Sequence, residues 1–190
     1  MQRRQLEHII RTASAIADVH EIVIIGSQSI LGSFPFAPSN LLQSMEADVY
    51  PLSQPAKADL IDGSIGEMSI FDETYGYYAQ GVGPETAILP LGWEARLVKI
   101  QNENTDLKVG LCLEPHDLAV SKLAAGREKD WPFVSTMLAD KMIGTQTLLE
   151  RIRATPRISI ERQESLARWV SNYPHEDVLV ADGHPDQPSG

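Results

Sequence analysis

Read for its apolar positions, the chain opens on a helix. Leu6, Ile9, Ile10, Ala13, Ile16 and Ala17 recur at three- and four-residue steps, and Arg3, Arg4, Glu7 and Arg11 fill the other face. The β-branched run Glu21-Ile-Val-Ile-Ile-Gly26 reads as a buried strand closed by glycine. Ser27 to Leu31 then opens a short helix, and a proline-punctuated loop covers 33–39. From Ser44 to Tyr50 the pattern alternates, with Met45, Ala47 and Val49 on one face and Glu46, Asp48 and Tyr50 on the other. A mostly helical stretch is expected over 54–72, broken by Gly63 and Gly66, and further strands over 77–82, 96–101 and 109–113. Helices are expected over 115–125, 128–140, 145–154 and 159–172, two of them introduced by Pro115 and Pro156. Strands first and helices afterwards predict an α/β fold, a mixed sheet flanked by helices with a C-terminal helical region.

Size and composition narrow this picture. A chain of 190 residues fits one principal domain, here assigned to 1–140, with C-terminal helices over 141–176 packed on it and a disordered tail over 177–190. Hydrophobic residues at 43% and charged residues at 22% match a folded globular chain. No apolar run reaches the ~20 residues of a membrane span, and the N-terminus carries no signal-peptide core, so the expectation is a soluble cytoplasmic protein without a membrane partner. The single cysteine, Cys112, excludes an intramolecular disulfide and a multi-cysteine zinc site. A net charge of −10 argues against indiscriminate binding to nucleic acid, though not against a local basic pocket or phosphate held through a metal.

The candidate chemistry begins where the first strand ends. Gly26-Ser27-Gln28 places a helix start at the strand end, where outward amides and the positive end of the dipole receive phosphate. Glu46 and Asp48, two apart on a strand, project from one face. Such a pair suits Mg²⁺ or Mn²⁺, which takes one or two carboxylates with water and substrate phosphates. Alone, the first feature is common turn chemistry and the second the wet face of an edge strand; together, in this order, they describe a place for a nucleoside triphosphate. Cys112 in its apolar strand reads as a small core residue, His116 as the start of a helix, and His8 and His20 as surface residues. Trp93, Trp131 and Trp169 read as core packing.

These features resemble the nucleotidyltransferase-fold families headed by polymerase-beta-like enzymes, whose signature is Gly-Ser at a strand end followed by a pair of acids. The chain is more closely similar to a bacterial family within that fold, related to the AbiE-type type IV toxin nucleotidyltransferases. The matching stretches are 24–31, 44–50, 77–97 and Asp117-Leu-Ala-Val-Ser-Lys-Leu-Ala-Ala-Gly-Arg-Glu-Lys-Asp130. The resemblance implies a nucleotidyltransferase-like domain over 1–140 with Lys122 and Asp130 in the active centre. Lys122 would neutralise triphosphate charge, with Arg127 beside it, and Asp130 would serve as general base or hold Lys122. Read from the residues alone, the same block is an ordinary helix start, with Asp117 as cap, Lys122 in water and Arg127 paired to Asp130. Two departures stand out: Glu46 occupies a place where aspartate is usual, and the third acid is either Asp130 or Glu114, since Gln80 brings no charge. The expected reaction is Mg²⁺-dependent transfer of a nucleoside monophosphate from an NTP to a hydroxyl on RNA (a transfer RNA 3′ end by family precedent) or on a protein. A toxin–antitoxin setting with an antitoxin partner is implied by the same resemblance. The rival expectation is a non-catalytic nucleotide-binding or interaction module on the same fold.

Overall fold

A computed structural model describes residues 1–173; the tail expected over 177–190 lies outside the described residues. Five strands form one mixed sheet in the order β3-β2-β1-β5-β4: β1 (Glu21–Ile24), β2 (Glu46–Pro51), β3 (Tyr78–Gly81), β4 (Val98–Ile100) and β5 (Val109–Cys112). The central strand β1 pairs antiparallel with β2 and parallel with β5, and β2 pairs parallel with β3. Ile22, Val23 and Ile24 are fully buried, as a β-branched run between two neighbours requires.

Helices α1 (Arg3–Ala17), α2 (Ile30–Ser33) and α3 (Ala58–Ile65) cover one face. Two glycines set how closely they approach. A Cβ on Gly110 would overlap the side chain of Ile10 in α1, and one on Gly81 the carbonyl of Ala58 in α3. Val49 pairs directly with Gly81, so Ala47 and Val49 face these helices while Glu46 and Asp48 point to the opposite side with Tyr78 and Gln80. Beyond that side lie α5 (Pro115–Ala125), α6 (Asp130–Ala139), α7 (Thr145–Arg153) and α8 (Ile160–Ser171); α5 packs on α6 and α7, and α7 on α8.

Several expectations need correction. The stretch 54–72 breaks at Gly66 as expected, where α3 ends, and α4 (Ile70–Tyr75) starts anew, capped by Ser69. The break expected at Gly63 is absent, since that residue sits inside α3. The strand expected over 96–101 shortens to β4, because Arg96 lies in a 3₁₀ turn and points its guanidinium at Asp117. Glu7 is not on a wet face: it is 4% exposed and takes hydrogen bonds from Arg3, Asn102 and Asn104. Burial raises its carboxyl, but those bonds outweigh burial and hold it below the usual range. His8 is half-buried beside Phe71, Tyr75 and Tyr77, its Nδ1 2.7 Å from the Tyr77 hydroxyl. Cys112 is fully buried, and burial pushes its thiol up to about 12, the state of an inert core residue.

Candidate nucleotide site

The loop after β1 brings Gly26 against the acid pair. A Cβ on Gly26 would overlap Oδ2 of Asp48, so only glycine lets this carboxylate lie on the backbone at the strand end. Burial, then the neighbouring Glu46 carboxylate, raises the Asp48 carboxyl to about 6, against the opposing pull of Lys122 and Arg127. Glu46 stands one position pair away, where the Tyr78 hydroxyl donates to its Oε2 at 3.3 Å. Glu46 and Asp48 thus form a patch of negative charge that the protein leaves partly uncompensated.

Across from Asp48, Lys122 leaves α5 and donates to the Ser27 hydroxyl at 2.7 Å. Its ammonium lies 3.2 Å from Oδ1 of Asp130, the first residue of α6, and 4.9 Å from the centroid of Phe133. Asp130 is 1% exposed, and its Oδ2 accepts the backbone N–H of Arg127 at 3.2 Å. The αL glycine Gly126 reverses the chain between α5 and α6 and so makes this closure possible. These groups share one cleft of about 80 Å³, lined by Gly26, Asp48, Lys122, Arg127 and Asp130. Its remaining walls include Thr86, Ala87 and Ser121. That volume holds a phosphate group rather than a whole nucleotide, for which sites run to roughly 300–1,000 Å³, so a nucleoside would extend outward past the exposed Arg127.

The structure gathers most of the residues singled out in the sequence. Gly26, Asp48, Lys122, Arg127 and Asp130 line the cleft, Ser27 touches it through Lys122, and Glu46 flanks Asp48. Gln28 does not join them. It is fully buried, and its amide donates to the Ser44 carbonyl at 2.9 Å, bracing the loop ahead of β2. Glu114 does not line the cleft either. Its carboxylate caps α5 through the amides of His116 and Asp117 and pairs with His116 Nδ1 at 2.6 Å. Burial raises it, but these bonds outweigh burial and hold the Glu114 carboxyl below its usual range. Asp117 is therefore not the cap. It is fully buried, gripped by Arg96 at 2.8 and 3.0 Å and approached by Arg151 at 3.5 Å. Lys122 is drawn into the ion pair rather than left in water, and Arg127 meets Asp130 through its backbone.

The sequence reading missed Ser121, Tyr78 and Arg162. Ser121 had a signal, since Leu118, Ser121, Lys122 and Ala125 share a helical face by their spacing. Tyr78 is the direct cross-strand partner of Glu46, which only the register reveals. Arg162 reaches from α8 to the Leu123 carbonyl at 3.3 Å and over Trp131, and nothing local in the sequence marks it.

For a divalent ion, the chemistry of the donor set fits. Two hard carboxylates side by side, one raised by burial and then by the other, suit Mg²⁺ or Mn²⁺ completed by phosphate oxygens and water. Among the described residues, no group of three or more His, Cys, Asp and Glu is arranged to hold a metal, and Asp130 is turned to Lys122 instead. Among the described residues, no helix is long and apolar enough to cross a membrane.

The family described as nucleotidyltransferase of unknown function (DUF6036) matches residues 4–177. That span is most of the chain, and the chain belongs to this family. No curated protein and no solved structure matches it.

Proposed function

Starting from membership of a nucleotidyltransferase family, we propose that the chain moves a nucleoside monophosphate from an NTP to a hydroxyl acceptor with Mg²⁺ or Mn²⁺. The observation that carries this reading is the convergence of Gly26, Asp48, Lys122 and Asp130 on one cleft, with Ser27 and Lys122 in direct contact. The acceptor oxygen gives up its proton to solvent water as it attacks the α-phosphorus, the bond to the β-phosphate oxygen breaks, and pyrophosphate leaves. The Lys122 ammonium and the Arg127 guanidinium offset the triphosphate charge, and the Ser27 hydroxyl holds Lys122 toward the glycine loop. Asp130 fixes Lys122 from behind. Its Oδ2 accepts the Arg127 amide, and its Oδ1 faces the Lys122 ammonium at 3.2 Å without a hydrogen bond, a placement that favours a positioning role over that of a general base. Glu46 and Asp48 would hold the metal, which when bound would neutralise phosphate charge and lower the pKa of the acceptor hydroxyl. The acceptor is RNA or a protein side chain. By the resemblance to type IV toxins, the activity serves a toxin restrained by an antitoxin, so expression alone should arrest growth.

The test is transfer of label. Each α-³²P-labelled triphosphate is incubated with the protein, Mg²⁺, total RNA and a cell lysate. Wild type should label one acceptor class, and Asp48→Ala should label none. Lys122→Met should raise KM for the nucleotide. With Asp130 as a positioning residue, Asp130→Asn should also raise KM and add little to Lys122→Met in the double variant. A drop in kcat alone would return Asp130 to the role of base. Nucleotide binding by wild type without any transfer would establish the non-catalytic module instead, a reading favoured by the pairing of Asp130 with Lys122.

A further inference from the structure

The chain is acidic overall, but its charge is unevenly placed. Residues 1–140 hold ten basic and nineteen acidic side chains, whereas 145–173 hold five arginines against three glutamates. Three of these arginines are used to bind the helices to the body. Arg151 approaches Asp117, Arg157 donates to the carbonyls of Glu85 and Ala87, and Arg162 donates to that of Leu123 at the rear of the cleft.

The other two are spare. Arg153 and Arg168 are exposed and, among the described residues, neither side chain has a hydrogen-bond or ion-pair partner. Both line the same groove of about 240 Å³ between the end of α7 and the outer face of α8. Gln163 and Ile160 also line it, the latter 70% exposed, with Glu164 as the one acid. Two unpaired guanidiniums converging on a groove with an exposed apolar side chain match a phosphate backbone carrying an adjacent base. On another face of the same helix, Arg162 touches the α5 end that supplies Lys122, so α8 carries both the groove and a contact to the helix of the cleft.

We propose that the Arg153–Arg168 groove docks the phosphate backbone of a single-stranded RNA. Its role as the dock of the acceptor, which would make the acceptor RNA rather than protein, rests on the transferase reading above. The chain's negative charge elsewhere confines RNA to this groove and suppresses indiscriminate binding.

The probe is a fluorescein-labelled, unstructured 12-nucleotide RNA, read by anisotropy across a series of salt concentrations without nucleotide. Wild type should bind, and the double variant Arg153→Gln/Arg168→Gln should bind about tenfold more weakly. Its dependence of log affinity on log salt should be shallower by roughly 1.4, the loss of two phosphate contacts to a single strand. Both positions are exposed, so the melting temperature should be unchanged, as should NTP binding at the Lys122 cleft. Equal affinity and salt slope in wild type and variant would overturn the proposal. So would a wild type that fails to bind RNA while labelling a protein. RNA binding that depends on the two arginines, without nucleotide transfer, would support the groove and overturn the transferase reading alone.

Discussion

Gly26 and Gly63 show how one residue type has opposite meanings. Gly26 backs directly onto the Asp48 carboxylate, whereas a Cβ on Gly63 would meet nothing within 4 Å. Gly26→Ala should therefore push Asp48 out of place, costing about 1–3 kcal/mol and removing the rise in melting temperature that binding of a triphosphate with Mg²⁺ should give the wild type. Gly63→Ala in the middle of α3 should stabilise by roughly 0.5–1 kcal/mol and leave binding intact; urea melts of both variants check this. Asp48 makes a second prediction, about pH. Its folded carboxyl sits at about 6, above its unfolded value of 3.8, so between those values the folded state holds the extra proton. Stability in metal-free buffer should then fall as pH rises from about 4 to 6. Asp48→Asn should flatten that fall and raise stability at pH 7. A profile equally steep in Asp48→Asn would place the titration on another group. The same carboxylate was legible in the sequence because strand alternation and glycine are local signals. Gln28 was not: what decides it is a bond to Ser44, sixteen residues away, that turns its amide inward.

At the scale of elements, α5 depends on a residue that sequence reading had offered as a catalytic acid. Glu114 caps the helix, and its partner His116 accepts the backbone N–H of Gly144 at 2.9 Å, tying the start of α7 to the start of α5. Glu114→Ala should cost about 1–2 kcal/mol in thermal unfolding while leaving nucleotide binding unchanged. A third catalytic acid would instead lose transfer with stability preserved. The elements themselves were largely readable. The β-branched run gave β1, alternation gave β2, and proline marked the start of α5. Their edges were not: β4 contracts because Arg96 is claimed by Asp117, and α6 begins only at Asp130 because Asp130 bonds back to the Arg127 amide. Glu7 and Asp117 read as wet or capping residues for the same reason. Their partners lie 95, 97 and 21 positions away, and no periodicity over one turn can register them.

For the whole molecule, the joint between the sheet and the C-terminal helices is the Arg96–Asp117–Arg151 cluster. Arg96 also donates to the Leu91 carbonyl, and the Leu91 amide donates to Ala154 at the end of α7, so one buried carboxylate organises the crossing loop, α5 and α7. Its two ends are unequally exposed. The Asp117 side chain is 1% exposed, those of Arg96 and Arg151 21% and 29%. Burial raises the Asp117 carboxyl above its usual range even against Arg96, so the intact pair yields little net stability, while breaking it has a direction. Asp117→Ala leaves two guanidiniums that can turn to water, and should cost about 1–3 kcal/mol. Arg96→Ala leaves the buried carboxylate without its two hydrogen bonds and with only Arg151, 3.5 Å away, as a counter-charge, and should cost more, roughly 3–5 kcal/mol at pH 7. The pH dependence separates the two mechanisms. Without Arg96 the Asp117 carboxyl climbs further, so the folded variant holds a proton that the unfolded chain gives up near pH 4. Its penalty should shrink steadily as pH falls toward 4, since neutral Asp117 no longer needs the guanidinium. Asp117→Ala has no such group and should show a constant deficit. Denaturant unfolding of both variants from pH 4.5 to 7.5 tests this; parallel deficits across that range would mean that the cluster holds the helices by packing of its side chains rather than by its charge.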